Sequence, residues 1–171
     1  LNELPLLAGD SVIINILALR NIWGIRNDDD FITYMSGVFP QAEIDSAYDR
    51  VNKVTKLLVN LNERLINDMV DEDAFFADQE HDGAANLQQA LEEFRNELAE
   101  YGLCSFSQLQ QRFLTAVQNG DADEQINHYR AILVDEFQDT NAIQEALYFA
   151  IIQRAEMSDD CNIMVVGDDD Q

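Results

Sequence analysis

The first place in this chain where chemistry could happen is a pair of neighbouring carboxylates, Asp135 and Glu136, that follow the apolar run Ala131-Ile132-Leu133-Val134 without a break. The run does not alternate and contains two β-branched residues, Ile132 and Val134, which suits a strand buried on both faces of a parallel sheet. In open α/β sheets the carboxyl ends of the strands border the ligand crevice. Two adjacent acids there are poor packing material, but they suit a metal–phosphate ligand. Mg²⁺ takes one or two carboxylates together with phosphate oxygens and water, which leaves the second acid free to accept a proton. The same pattern returns about thirty residues later, a spacing that fits a strand–helix–strand crossover. There Ile163-Met164-Val165-Val166 runs into Gly167-Asp168-Asp169-Asp170-Gln171. Both strand ends would then point polar groups at one crevice. Between them, Thr140 or Asn141 can cap a helix bearing Ile143, Leu147, Ala150, Ile151 and Arg154 at helical spacing.

Asp-Glu-Phe-Gln-Asp-Thr-Asn at 135–141, followed by Val-Val-Gly-Asp-Asp-Asp-Gln at 165–171, resembles motifs II and III of the UvrD/Rep-type superfamily 1 DNA helicases. These are ATP-driven motors that track along single-stranded DNA. The resemblance covers roughly residues 103–171. Leu103-Cys104-Ser105-Phe106-Ser107-Gln108-Leu109 is similar to the segment that precedes motif II, but Ser107 and Gln108 stand where the family has acids, and no function is carried onto them. The resemblance implies that Asp135 holds Mg²⁺ and that Glu136 acts as general base or orienter for the water attacking the γ-phosphate of ATP. It implies that Gln171 senses the γ-phosphate and couples hydrolysis to movement. Gln138 and Asp168 fall in the nucleotide-binding set, Gln138 and Asp139 by bridging motif II to its neighbours and Asp168 by orienting water or metal from behind. Asp169 and Asp170 could equally be solvent-facing loop acids.

No Gly-x-x-x-x-Gly-Lys-Ser/Thr stands anywhere in the 171 residues, so no phosphate-cradling loop or its lysine is present. The expectation is an internal piece of a cytoplasmic helicase, inactive alone and without bound Mg²⁺ or ATP. Its partners would be the remaining motor domains of the same chain and, through the intact enzyme, single-stranded DNA and tailed duplex. The formal charge of −23, from 33 acids against 10 bases, makes this stretch by itself a weak DNA binder, because phosphate-neutralising surfaces are basic. Two other classes fit some of the residues. A metal-dependent phosphohydrolase could gather Asp135, Glu136, Asp168 and Asp169, and a non-catalytic interaction module could be built on the helices. Cys104 and Cys161 suggest buried thiols in a reducing cytosol rather than a disulfide or metal site. No run is long enough for a membrane span.

The elements that must hold these residues are mostly helical. The expected fold is a helical insertion subdomain over 1–104, then a βαβ fragment of a RecA-like P-loop NTPase sheet over 105–171. After Pro5, Asp10 or Ser11 can cap a helix to about residue 25, with Val12, Ile16, Leu19 and Trp23 on one face and Ile13, Leu17 and Ile22 widening it. Such a helix should be mostly buried. Asn27-Asp28-Asp29-Asp30 starts a shorter helix closed by Gly37 and Pro40. Ile44, Ala47, Val51, Val54, Leu58, Leu61 and Leu65 form a heptad stripe answered by Leu87, Leu91, Phe94, Leu98 and Tyr101, which predicts an antiparallel hairpin over about 43–101. The acidic residues 67–82, His81 among them, form an expected mobile loop rather than a calcium site. Ser105 can cap a helix with Phe106, Leu109, Phe113, Ala116 and Val117 on its face, broken at Asn119-Gly120-Asp121.

Overall fold

A computed structural model describes residues 6–7, 12–25, 27–38, 47–77, 82–156 and 162–168. The expected caps at Asp10 or Ser11, the stop at Pro40, the start of the heptad stripe at Ile44, and His81, Cys161, Asp169, Asp170 and Gln171 lie outside the described residues. The chain is mostly helical with a small parallel two-stranded α/β part, as expected. It divides into two compact units, Leu1–Leu65 with Val70–Phe106, and Ile66–Met69 with Ser107–Gln171.

The first unit contains β1 (Leu6–Leu7), α1 (Val12–Trp23), α2 (Asp29–Val38), α3 (Ala47–Asn67) up to Leu65, α4 (Glu72–Ala77), α5 (Asp82–Glu100) and β2 (Leu103–Cys104). β1 and β2 pair in parallel, Leu6 with Leu103 and Leu7 with Cys104. The core joins Val54, Leu58 and Leu65 of α3 to Leu87, Leu91, Phe94 and Leu98 of α5. Ile14, Leu17, Ala18 and Ile22 of α1, Phe31 of α2 and Phe76 of α4 complete it. The stripes on α3 and α5 therefore face a many-helix core, and the backbone of α5 runs closest to α2 and α1. The approach to α2 is so tight that a Cβ on Gly83 would stand 2.4 Å from the Tyr34 Cβ and 2.5 Å from the Asp30 carbonyl oxygen. Asp28 fixes that corner, its Oδ1 accepting from the Phe31 amide at 2.9 Å, an N-cap, and from Asn86 Nδ2 at 2.9 Å.

Two expectations fail in this unit. The buried face of α1 is Ile14, Leu17, Ala18 and Ile22, while Val12, Ile13, Ile16 and Trp23 are exposed. Nine of the twelve residues of α1 are apolar, so two helical stripes were available, and small Ala18 is fully buried on the second. Asn21 and Arg20 fix the choice: Asn21 Nδ2 donates to Glu97 Oε2 at 3.2 Å and Arg20 pairs with Glu97 at 3.4 Å. The acidic stretch is also more ordered than expected. After α3 ends at a left-handed Met69, with Val70 N donating to Leu65 O at 2.9 Å, Asp71 Oδ1 caps α4 by accepting from the Ala74 amide. Arg95 then grips Glu72 with two bonds of 2.8 Å and donates to the buried Asn62 Oδ1 at 2.7 Å. The fork-like guanidinium suits such two-pronged pairing. Read as a charge run, these acids gave no sign of an arginine partner more than twenty residues away.

The second unit contains α6 (Phe106–Asn119), α7 (Asp123–Ile126), β3 (Ala131–Val134), a 3₁₀ turn (Phe137–Asp139), α8 (Ala142–Glu156) and β4 (Asn162–Val165). β3 and β4 are parallel, from Ala131 beside Asn162 to Val134 beside Val165, with α8 as the crossover. Its core is Ile66, Leu114, Val117, Ala122, Ile126, Ile143, Ala150 and Ala155. α6 buries Ser107, Leu114 and Val117, whereas Phe106 and Phe113, expected on the buried face, are exposed. Ser107 Oγ, bonded to Asn67 Oδ1 at 2.8 Å, sets that rotation. The strands are likewise not buried on both faces: Leu133 is 74% exposed and β4 is exposed along its length. Among the described residues this sheet has only two strands, and no described element covers the faces on which these side chains are exposed.

Candidate functional site

Asp135 and Glu136 stand just beyond the carboxyl end of β3, and both are exposed. Glu136 has a left-handed backbone, φ 52° and ψ 44°, a region that side chains other than glycine, Asn and Asp seldom occupy. Its amide donates to Asp135 Oδ1 at 3.0 Å. The chain then closes the 3₁₀ turn, Asp139 N donating to Glu136 O at 3.0 Å and Thr140 N to Phe137 O at 3.1 Å. Asn141 starts α8 with reciprocal bonds: its Oδ1 accepts from the Gln144 amide at 3.0 Å, and its own amide donates to Gln144 Oε1 at 3.1 Å. Of the two predicted caps the structure thus uses Asn141 in a capping box, while Thr140 Oγ1 donates back to Phe137 O at 2.7 Å.

The segment after β4 is joined to this turn. Val166 N donates to Val134 O at 2.8 Å and Phe137 N to Val166 O at 3.1 Å. Gln138 bridges the two by its side chain, donating from Nε2 to Glu136 Oε2 at 2.6 Å and accepting at Oε1 from the Asp168 amide at 3.0 Å. A Cβ on Gly167 would meet Gln138 Oε1 at 2.7 Å. Glu136, Gln138 and Asp168 therefore come together at the ends of β3 and β4, with Asp135 beside them. Gln138, expected among the nucleotide-binding residues, is engaged by protein at both ends of its amide. Gly167 was visible in the sequence only as a letter of the motif, although a glycine between a strand and an acid is a signal for close backbone approach.

Among the described residues no three His, Cys, Asp or Glu side chains cluster as a metal cage. The adjacent carboxylates of Asp135 and Glu136 fit Mg²⁺, which takes one or two carboxylates together with phosphate oxygens and water. An open depression of about 320 Å³ lies on the sheet face beside Asp135, lined by Tyr129, Leu133, Tyr148 and Ile151 among others. Its described lining is apolar and aromatic apart from Asp135. No Lys or Arg lies between Arg130 and Arg154, and Arg154 is occupied: its Nε donates to Val117 O at 3.0 Å, a second nitrogen to Gln118 O, and a third pairs with Asp123 at 3.6 Å.

Residues 11–171 match the family model of the UvrD/REP helicase N-terminal domain. The chain belongs to the UvrD/Rep helicase family. No curated protein and no solved structure matches it. Membership in this family supports an ATP-dependent helicase, an enzyme type that in general binds ATP and DNA. The interaction-module and phosphohydrolase readings are not favoured by the match. In a UvrD/Rep-type domain, the strand end at Asp135 and Glu136 and the tail of β4 are where the sequence motifs and the joined geometry coincide.

Proposed function

We propose that this chain forms part of the ATP-hydrolysing centre of a helicase that couples hydrolysis to movement along single-stranded DNA and to duplex unwinding. The carrying observation is the turn after β3, where two exposed acids sit side by side at a parallel strand's carboxyl end and are tied to the tail of the neighbouring strand. In this reading Asp135 holds Mg²⁺ with its carboxylate, and Glu136 takes the proton from the water that attacks the γ-phosphate. When bound, Mg²⁺ offsets the charge of the phosphates and orients them. Gln138 and Asp168 keep the two motifs in register, and Gln171 senses the γ-phosphate. Residues 1–104 serve as the helical insertion subdomain and 105–171 as part of the motor domain, in the cytoplasm. With no Walker A sequence in the 171 residues, this stretch alone turns over no ATP and, at −23, binds single-stranded DNA weakly.

The test neutralises each acid in the intact helicase. Glu136→Gln keeps size and hydrogen bonding but is a far poorer base, so nucleotide still binds while DNA-stimulated phosphate release falls by about 10²-fold or more. Asp135→Asn weakens Mg²⁺-dependent binding of a fluorescent ATP analogue as well as turnover. Near-normal turnover in Glu136→Gln removes Glu136 from catalysis and this reading with it.

A further inference from the structure

We propose that Gln138 is a positioning residue for Glu136, and that its side-chain amide sets where the Glu136 carboxylate stands by anchoring it to the backbone that follows β4. The inference rests on the reading that Glu136 handles the proton of the attacking water. The amide's orientation is fixed by its partners. A backbone N–H can only donate, so the group facing Asp168 N at 3.0 Å is the amide oxygen, and the NH₂ must face Glu136 Oε2 at 2.6 Å, where a carboxylate only accepts. One side chain thus uses its acceptor on one motif and its donor on the other. The path is short and stiff. The 3₁₀ turn places Gln138 two residues past Glu136, and Phe137 N holds that turn to Val166 O at 3.1 Å. Gly167 leaves the space the amide oxygen fills, since a Cβ there would stand 2.7 Å from it.

Glu136 has a left-handed backbone and an exposed side chain with several rotatable bonds, so by itself its carboxylate would sample many places. Misplacement of a reacting group by about an ångström can cost on the order of 10²-fold in rate. The Gln138 amide removes that freedom. It also makes the carboxylate follow any displacement of the β4 tail, because the same amide holds both.

The experiment uses the intact helicase for kinetics and NMR amide exchange on the chain described here. Gln138→Leu removes both halves of the amide, and Gln138→Glu keeps the acceptor for Asp168 N–H while replacing the donor that faces Glu136. Both variants should lose roughly 10- to 100-fold in kcat with little change in KM for ATP. Exchange at the Asp168 amide should quicken several-fold in Gln138→Leu and stay slow in Gln138→Glu. In a Glu136→Gln background, Gln138→Leu should cost almost nothing further, because a positioning residue has nothing left to position. Normal kcat in either single variant, losses that multiply in the double variant, or unchanged Asp168 exchange in Gln138→Leu overturns the proposal. Failure of the underlying reading looks different: Glu136→Gln itself would turn over normally, while Asp168 exchange still responded to Gln138→Leu.

Discussion

At the scale of single residues, the site pairs a side chain that chemistry asks for with a backbone that it fits poorly. Glu136 sits at φ 52°, and a non-glycine residue held in a sparsely populated region costs on the order of 1–3 kcal/mol. Asn tolerates that conformation far better than Glu. Glu136→Asn should therefore leave the melting temperature of the chain unchanged or raise it by the equivalent of up to about 1 kcal/mol, although it removes the acid. A clear fall in thermal stability would mean that the bond from Gln138, and not the surrounding turn, maintains the backbone there. The position of Asp135 and Glu136 after an apolar strand was legible from residue types alone. The left-handed turn was not, since no glycine or asparagine marks it, and neither was the two-ended engagement of Gln138, which depends on a residue thirty positions away.

Among the elements, the two boundaries that matter most rest on residues whose role is invisible in a helical wheel. α6 ends in a Schellman turn at left-handed Gly120, with Asp121 N donating to Ala116 O at 2.9 Å and Gly120 N to Val117 O at 3.1 Å. Arg154, which periodicity placed simply on the face of α8, takes up the Val117 and Gln118 carbonyls there and pairs with Asp123. Arg154→Ala should cost about 1.5–3 kcal/mol in denaturant unfolding, and Arg154→Lys should recover little, since an ammonium cannot reproduce a planar fork. In the helical unit Gly83 plays the corresponding part. Gly83→Ala should destabilise by about 1–3 kcal/mol through the clash with Tyr34 and Asp30. Gly24→Ala, where a Cβ would meet nothing within 4 Å, is the matched control and should leave the midpoint nearly unchanged or slightly raised. The heptad periodicity did locate α3 and α5, whose Leu58, Leu91 and Leu98 are fully buried. Periodicity misjudged α1, because a helix apolar on nearly all sides has no unique inner face, and it missed α4, because the packing of Phe76 and the pairing of Glu72 are tertiary events.

For the molecule as a whole, composition pointed to a poor phosphate-binding surface, and the motifs alone pointed to the family. What composition could not convey is how open the strands of the second unit are: Leu133, Ile163, Met164 and Val165 are exposed, as is Val166 just beyond β4, and among the described residues each of the two strands has an unpaired edge. Unpaired strand edges of that kind are templates for pairing with other copies. A net charge of −23 opposes this, because like-charged molecules repel one another before their edges can meet. The acidity of the chain is thus also a colloidal safeguard, and one that added salt weakens. Raising NaCl from low concentration to about 1 M, where the screening length shrinks to about 3 Å, should turn the osmotic second virial coefficient from positive toward negative and bring on light scattering from β-rich assemblies. Replacing Leu133 and Met164 with Lys should suppress that scattering at high salt even though both changes reduce the net negative charge, which separates edge pairing from charge neutralisation as the cause.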